Sequence, residues 1–134
     1  MSIVYAEGTA GIETQQLAGF FVDWPTPPPT ETHLAILRGS DHVVLARDGD
    51  RVVGFVTAIS DGVLSAYIPL LEVLPEYQGR GIGSELVRRM LARLKGLYMV
   101  DLCCDAQLEP FYSRLGLRTW DRGMGLRNRE VLQT

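Results

Sequence analysis

Three glycines stand at alternate positions, Gly79, Gly81 and Gly83, between an apolar run that ends at Leu74 and a segment with the apolar period of a helix. Backbone amides at such a strand–turn–helix junction have no partner inside the helix and lie at the positive end of its dipole. Glycine lets a ligand approach the main chain closely. The pattern therefore predicts a turn that binds anions, above all phosphates.

Three phosphate-binding explanations compete for this turn. The spacing does not fit the dinucleotide fingerprint, in which the third glycine follows the second by three positions, and the Lys-Ser or Lys-Thr pair of the P-loop is missing from it. A pyrophosphate site of another type fits the residues. A turn in which the glycines only cap and pack the helix fits them as well.

The residues around the turn resemble a known family. Residues 78–83, QGRGIG, match the Gln/Arg-x-x-Gly-x-Gly/Ala signature of the GNAT superfamily of N-acetyltransferases, and residues 73–77 are similar to the Val-x-Pro-Glu-Tyr lead-in of many bacterial members. About 30 residues later, residues 111–117 resemble the family's second segment, Phe-Tyr-x-x-x-Gly-Phe. Two motifs in the right order are more specific than either alone, and the resemblance extends over residues 43–117.

The resemblance implies an α/β fold with a central mixed sheet of six or seven strands and helices on both faces. Two neighbouring parallel strands, here residues 64–74 and 97–103, would splay apart and admit acetyl-coenzyme A, with its pantetheine along the first strand and its pyrophosphate on the turn. The cofactor-binding residues carried over by position are Leu71, Val73, Gln78, Gly79, Arg80, Gly81, Ile82, Gly83, Ser84 and Asp105. For Asp105 a helix-capping role is the stronger expectation, and for Arg80 a solvent-facing side chain that only attracts the cofactor at long range.

The resemblance also implies catalytic roles. The Val73 amide would polarise the thioester carbonyl, and Tyr112 occupies the position of the acid that protonates the departing thiolate. A phenol is neutral at pH 7 and can donate its proton. The alternative for Tyr112 is simple packing beside Phe111.

A primary amine is almost entirely protonated at pH 7, so the reaction benefits from a base. Glu72 is the strongest candidate because it is the single charged residue in an apolar strand, where burial would raise its pKa. The alternative is that Glu72 lies on a wet face or pairs with an arginine.

The first part of the chain is expected to bind the acceptor. By analogy with the family, Phe20, Phe21 and Trp24 would line the acceptor pocket, although core packing explains these aromatics equally well. The acceptor would be a small amine or a protein amine. No metal site is expected, because neither histidine has ligand partners at suitable spacing.

Residue patterns predict the elements that position these groups. The expectations are a strand at 3–5, helices at 13–22 and 30–39, hairpin strands at 43–46 and 52–56 around Asp48-Gly49, a turn at Asp61-Gly62, a strand at 64–74 with Pro69 at a bulge or edge, a helix at 81–96, a strand at 97–103, a helix at 108–115, and a hairpin near Arg122-Gly123.

Length and composition limit the number of domains and the class of protein. The 134 residues fit one acetyltransferase domain, 1–134, and the 46% hydrophobic and 22% charged residues are typical of a globular protein. A net charge of -3 disfavours nucleic acid as a partner, and no apolar run suggests a membrane span. Two adjacent cysteines make a poor disulfide, and the start shows no secretion signal, so we expect the cytoplasm.

Two function classes follow from these observations. The leading one is an acetyl-CoA-dependent N-acetyltransferase that acts by direct attack of an amine in a ternary complex, with acetyl-CoA as cosubstrate; a homodimer is compatible with it. The alternative is a non-catalytic sensor or regulatory module that binds acyl-CoA. Phosphate or nucleotide binding unrelated to acyl transfer is a third explanation of the turn.

Overall fold

The computed structural model describes residues 2–120 and 122–133, which form a single mixed sheet with helices packed against it. The elements are β1 (Ile3–Glu7), α1 (Thr30–Gly39), β2 (His42–Asp48), β3 (Arg51–Ser60), β4 (Ser65–Val73), α2 (Ile82–Arg93), β5 (Met99–Asp101) and α3 (Glu109–Arg114), with short 3₁₀ helices at Thr14–Leu17, Pro75–Tyr77, Ala106–Leu108 and Arg129–Gln133. Within these two ranges no helix has the length and apolar character needed to cross a bilayer.

The sheet has the strand order β1-β2-β3-β4-β5. Its first four strands are antiparallel, and β5 joins β4 in parallel. Both predicted turns join antiparallel neighbours, and their glycines, Gly49 and Gly62, have φ of 60° and 76°, a region that glycine adopts without steric cost. The mixed α/β class predicted from the resemblance is confirmed; the described residues supply five strands where six or seven were expected.

Helices cover both faces of the sheet, as two adjacent residues of β3 show. A Cβ on Gly54 would lie 3.0 Å from Leu86 and 3.3 Å from Ile82, so this face packs against α2. The Phe55 side chain points to the opposite face, where the ring of His33 on α1 lies 4.5 Å away between centroids. Residues 52–58 of β3 are all buried, because both faces of the strand are covered.

Helix α2 forms where the sequence predicts the strongest amphipathic helix. Its buried stripe packs on the sheet, while on the outer face Glu85 pairs with Arg88 at 3.6 Å and Arg89 at 2.8 Å. Each of these exposed pairs adds only about 0.3–0.5 kcal/mol, so burial of the stripe supplies most of the stability. The helix begins after Gly81, which has φ of 81° and caps it without a side-chain hydrogen bond.

Pro69 lies at a β-bulge, one of the two alternatives predicted from its missing amide donor. The pairing of β4 with β3 shifts between Thr57 and Ile59, so that Ile68 and Pro69 together oppose the single residue Ala58. A bulge accommodates the residue that cannot donate to the ladder, and it changes the face to which the following side chains point.

The helix predicted at 13–22 is wrong. Only Thr14–Leu17 is helical, as one 3₁₀ turn, and the chain then bends through Gly19, Phe21 and Asp23, whose φ values are 99°, 63° and 67°. Positive φ at three positions is incompatible with a right-handed helix. The apolar spacing of this segment instead serves packing on the sheet, where Leu17 and Phe21 are buried.

Two predictions near the end of the chain also need correction. The strand predicted at 97–103 is limited to Met99–Asp101, because β4 and β5 pair only over three residues before they part. The hairpin near Arg122-Gly123 does not form: in the described part of the chain after β5 there is no strand. Gly125 lies just after the proposed turn, and a glycine there weakens any strand.

Candidate active site

The second half of β4 has a free edge. β4 pairs with β3 along its length, but with β5 only from Ser65 to Tyr67, so within residues 2–120 and 122–133 no strand covers its other edge beyond that point. The Leu74 amide donates to the Val53 carbonyl of β3 at 2.9 Å. Since backbone groups alternate in direction along a strand, the amides of Val73 and Leu71 point away from β3 and into the gap.

The glycine turn closes one end of this gap. Gly79 and Gly81 have φ of 77° and 81°, which leads the chain from the end of β4 into α2 through a 3₁₀ turn. The Gln78 side chain donates to the Val73 carbonyl at 3.0 Å and so ties the turn to the strand. Arg80 is exposed, as predicted, and its guanidinium donates to the Glu76 carbonyl at 3.0 Å.

The first turn of α2 presents backbone rather than side chains. Ile82 is buried against Gly54, and a Cβ on Gly83 would lie 3.5 Å from the Phe111 ring and 3.8 Å from Val73. The side-chain directions at 82 and 83 therefore point into the protein. The amides of residues 82–84 have no acceptor within the helix, so this end is a favourable place for an anion.

Tyr112 lies on α3, which follows β5 in the chain. Burial and, to a smaller extent, the nearby Cys104 together raise the pKa of the half-buried phenol to about 12. The phenol is therefore protonated throughout the physiological range and is chemically able to donate a proton. Its neighbour Phe111 packs edge-on against it, with 4.9 Å between ring centroids.

The segment between β5 and α3 is exposed. Cys103 and Cys104 are free thiols, and burial and nearby carboxylates raise the pKa of Cys104. Asp105 precedes the 3₁₀ helix Ala106–Leu108, but its side chain makes no capping hydrogen bond; only its carbonyl accepts, from the Leu108 amide at 2.9 Å. The capping role expected of the Asp105 side chain is thus wrong.

Glu72 faces the side of the sheet that carries α1, since it lies opposite Phe55 in the ladder. Its Oε1 accepts the Phe21 amide at 2.9 Å and its Oε2 accepts the Val22 amide at 3.2 Å. It lies neither on a bare wet face nor in one of the ion pairs found among the described residues. The carboxylate instead binds the main chain of the 19–24 loop.

The aromatic residues near Glu72 form what we call the aromatic cluster: Phe20, Phe21, Trp24, His33 and Phe55. Phe20 and Phe21 are 8% and 2% exposed and pack on the His33 ring, so these two fill the core, while Trp24 is 38% exposed and contacts Phe21 at 4.9 Å. Of the three predicted acceptor-binding residues, Trp24 offers the most surface to a ligand.

His33, to which sequence reasoning assigned no role at the site, is packed in the core. It is 1% exposed, and neither ring nitrogen has a hydrogen-bond partner among the described residues. Burial lowers its pKa to about 4, so the imidazole is neutral at pH 7. The sequence signal for its burial is its position on the same face of α1 as Leu34 and Leu37. No group of three potential metal ligands occurs in the described ranges, and the expectation that the protein needs no metal stays a prediction.

Comparison with known proteins identifies the fold around this gap. Residues 10–117 match the model of the Acetyltransferase (GNAT) family. The chain belongs to this family. A Deinococcus radiodurans protein assigned to the acetyltransferases has a crystal structure that is 48% identical, with a TM-score of 0.92 over 96% of this chain and 90% of that one. An aminoglycoside N-acetyltransferase crystallised with coenzyme A shares the fold alone, at 18% identity and a TM-score of 0.68, over 96% and 95% of the two chains.

A chloroplastic GCN5-related N-acetyltransferase from Arabidopsis thaliana is 33% identical over 76 residues, which are 55% of this GNAT chain and 30% of the plant protein. The chain thus spans less than a third of that relative's length. Family membership confirms the resemblance drawn from residues 78–83 and 111–117. The parted strands, the glycine turn and α3 all lie within residues 43–117, over which that resemblance extends.

Proposed function

We propose that this chain is a single-domain, acetyl-CoA-dependent N-acetyltransferase that transfers the acetyl group to a primary amine by direct attack in a ternary complex. The observation that carries the proposal is the free edge of β4, with the Leu71 and Val73 amides directed into the gap, ending at the glycine turn. Acetyl-CoA is the usual donor of the GNAT family. Cys103 and Cys104 are free and exposed, which fits action in the cytoplasm.

The cofactor lies along β4 in this proposal. The amide groups of the pantetheine arm pair with the free edge of β4, as an added strand would. The pyrophosphate accepts hydrogen bonds from backbone amides between Gly79 and Ser84, at the positive end of the α2 dipole. Gln78 contributes indirectly, since its side chain holds the turn against the strand.

Acetyl transfer then needs the acceptor amine, the Val73 amide and the Tyr112 hydroxyl to lie around the thioester. The amine nitrogen attacks the thioester carbonyl carbon, and the Val73 amide donates to the carbonyl oxygen as negative charge develops there. The carbon–sulfur bond breaks, and the sulfur takes the electron pair and the proton of the Tyr112 hydroxyl. Solvent reprotonates the phenolate, and the amine loses its extra proton to a base or to water.

The acceptor enters from the side of α1 in this proposal, past Trp24 and the 19–24 loop. An exposed indole face offers a stacking or cation–π contact to an amine-bearing substrate. Glu72 stands on this side as the predicted base, and that role stays a prediction.

The test is calorimetric titration of the purified protein with acetyl-CoA, with CoA and with ADP, followed by a thiol-release assay with a polyamine, an amino sugar, an aminoglycoside and a lysine peptide. We expect micromolar binding that depends on the pantetheine arm, and thiol release with at least one amine. Binding without release from any amine would favour an acyl-CoA sensor. Equal binding of ADP would favour a nucleotide site, and no binding would contradict the proposal.

A further inference from the structure

The Glu72 carboxylate makes contacts that a general base does not require. Both of its oxygens accept main-chain amides, from Phe21 at 2.9 Å and from Val22 at 3.2 Å. The partners are 51 and 50 residues apart in the sequence, so the contact joins two separate parts of the fold. One of those parts is β4, in which the adjacent residues Leu71 and Val73 direct their amides into the cofactor gap.

The 19–24 loop has a backbone that needs such support. Phe21 and Asp23 have φ of 63° and 67°, a region that is unfavourable for residues with a Cβ and persists only where the surroundings enforce it. The Trp24 amide donates to the Phe21 carbonyl at 3.3 Å and closes a tight turn. On the other side, the Phe21 ring packs on His33, with 4.9 Å between centroids.

We propose that Glu72 is a positioning residue, whose carboxylate holds the 19–24 loop in this conformation and so fixes the exposed Trp24 on the side that receives the acceptor amine. The inference rests on the proposed N-acetyltransferase function. In this role Glu72 takes no part in proton transfer, and the amine proton leaves to solvent.

The geometry gives this arrangement a functional consequence. Leu71 and Val73 direct their amides into the cofactor gap, while Glu72 between them directs its side chain to the loop. Residues 71–73 therefore fix the cofactor edge of β4 and the 19–24 loop relative to each other. A loose loop would leave the cofactor edge intact and would displace only the acceptor side.

The first experiment measures amide hydrogen exchange by NMR in the full chain, for the wild type, E72Q and E72D. E72Q presents an NH2 group to one of the two donors, and E72D withdraws the carboxylate by one methylene. We expect protection at Phe21 or Val22 to fall roughly tenfold or more in both variants, because charge-assisted hydrogen bonds are lost. The control is E7Q, which neutralises an exposed glutamate that pairs with Arg93 on another part of the surface.

The second experiment measures steady-state kinetics with whichever amine of the panel reacts fastest with the wild type. For a positioning role, we expect the acceptor KM to rise about tenfold or more in E72Q and E72D, with acetyl-CoA affinity unchanged and the acid limb of the kcat/KM pH profile retained. E7Q should match the wild type in every respect.

Two results would overturn the inference. One is unchanged protection at both Phe21 and Val22 in E72Q. The other is a collapse of kcat in E72Q with loss of the acid limb, while E72D keeps that limb, because this pattern identifies a general base. A wild type that acetylates no amine would contradict the proposed function, whereas the exchange data would still decide whether Glu72 holds the loop.

Discussion

Replacement of His33 by Leu should remove much of the acid sensitivity of this protein. His33 lies between Phe21 and Phe55, almost fully buried, and both ring nitrogens lack hydrogen-bond partners among the described residues. Leucine is an aliphatic residue of similar volume and a good helix former, so α1 should persist. It adds no polar atom to the cluster.

The magnitude follows from the pKa of the imidazole, which burial lowers from 6.5 in the unfolded chain to about 4 in the folded protein. As the pH falls below 6.5, the unfolded state takes up a proton that the folded state does not, and stability decreases until the pH passes 4. The loss from His33 alone is about 2 kcal/mol between about pH 7.5 and pH 5, and about 3 kcal/mol in full. At neutral pH we expect H33L to lie within about 1 kcal/mol of the wild type, because removal of two unpartnered nitrogens offsets imperfect packing.

The assay is urea unfolding at both pH values, followed by tryptophan fluorescence. The free energy of unfolding should fall by about 2 kcal/mol more in the wild type than in H33L between the two conditions. The carboxylates titrate alike in the two proteins, so their contribution cancels in this difference. An equal loss of stability in both proteins would refute the reasoning, because His33 would then titrate normally in the folded state.

The remaining predictions concern the phenol and the glycines. Tyr112→Phe should lower kcat about 100-fold or more, measured by thiol release, with Tm within a few degrees, if the phenol protonates the leaving thiolate; an unchanged kcat would exclude it from the mechanism. Gly54→Ala should lower the free energy of urea unfolding by about 1–3 kcal/mol, because the new Cβ would meet Leu86 at 3.0 Å, whereas the control Gly39→Ala meets nothing within 4 Å and should not destabilise. Gly81→Ala should weaken acetyl-CoA binding in calorimetry, because φ of 81° is strained for alanine. The control Gly83→Ala, whose Cβ would make ordinary contacts inside the protein, should bind acetyl-CoA within about threefold of the wild type. Equal losses of affinity in the two variants would contradict the inference that the positive φ of Gly81 shapes the cofactor-binding turn.

The elements around the cofactor gap could be predicted because local rules fix them. Asp48-Gly49 and Asp61-Gly62 are turn sequences whose glycines adopt the positive φ that such turns favour. The apolar stripe of α2 has the helical period over its whole length, and the helix begins directly after Gly81. These features depend on neighbours a few residues away, so one sequence is enough to find them.

The acceptor side could not be predicted, because contacts distant in the sequence determine it. Phe21 adopts a left-handed backbone conformation that phenylalanine disfavours, and the carboxylate that holds the loop comes from β4. The spacing of Leu17, Phe20 and Phe21 fits a helix equally well, so periodicity predicted one. Tertiary packing overrides local preference here, which is common at functional sites.

The bulge at Pro69 connects the two halves of the site. Before it, Tyr67 lies opposite Ile59, and after it Leu70 lies opposite Thr57. A regular ladder would instead place Glu72 opposite Gly54, on the face that α2 covers, because a shift of one residue exchanges the two faces of a strand. With the extra residue, Glu72 lies opposite Phe55 and reaches the 19–24 loop. The same shift directs the Val73 amide into the gap. A proline that cannot donate to the ladder thus marks the point at which β4 changes from a structural strand into one that carries the cofactor edge and the support for the acceptor loop.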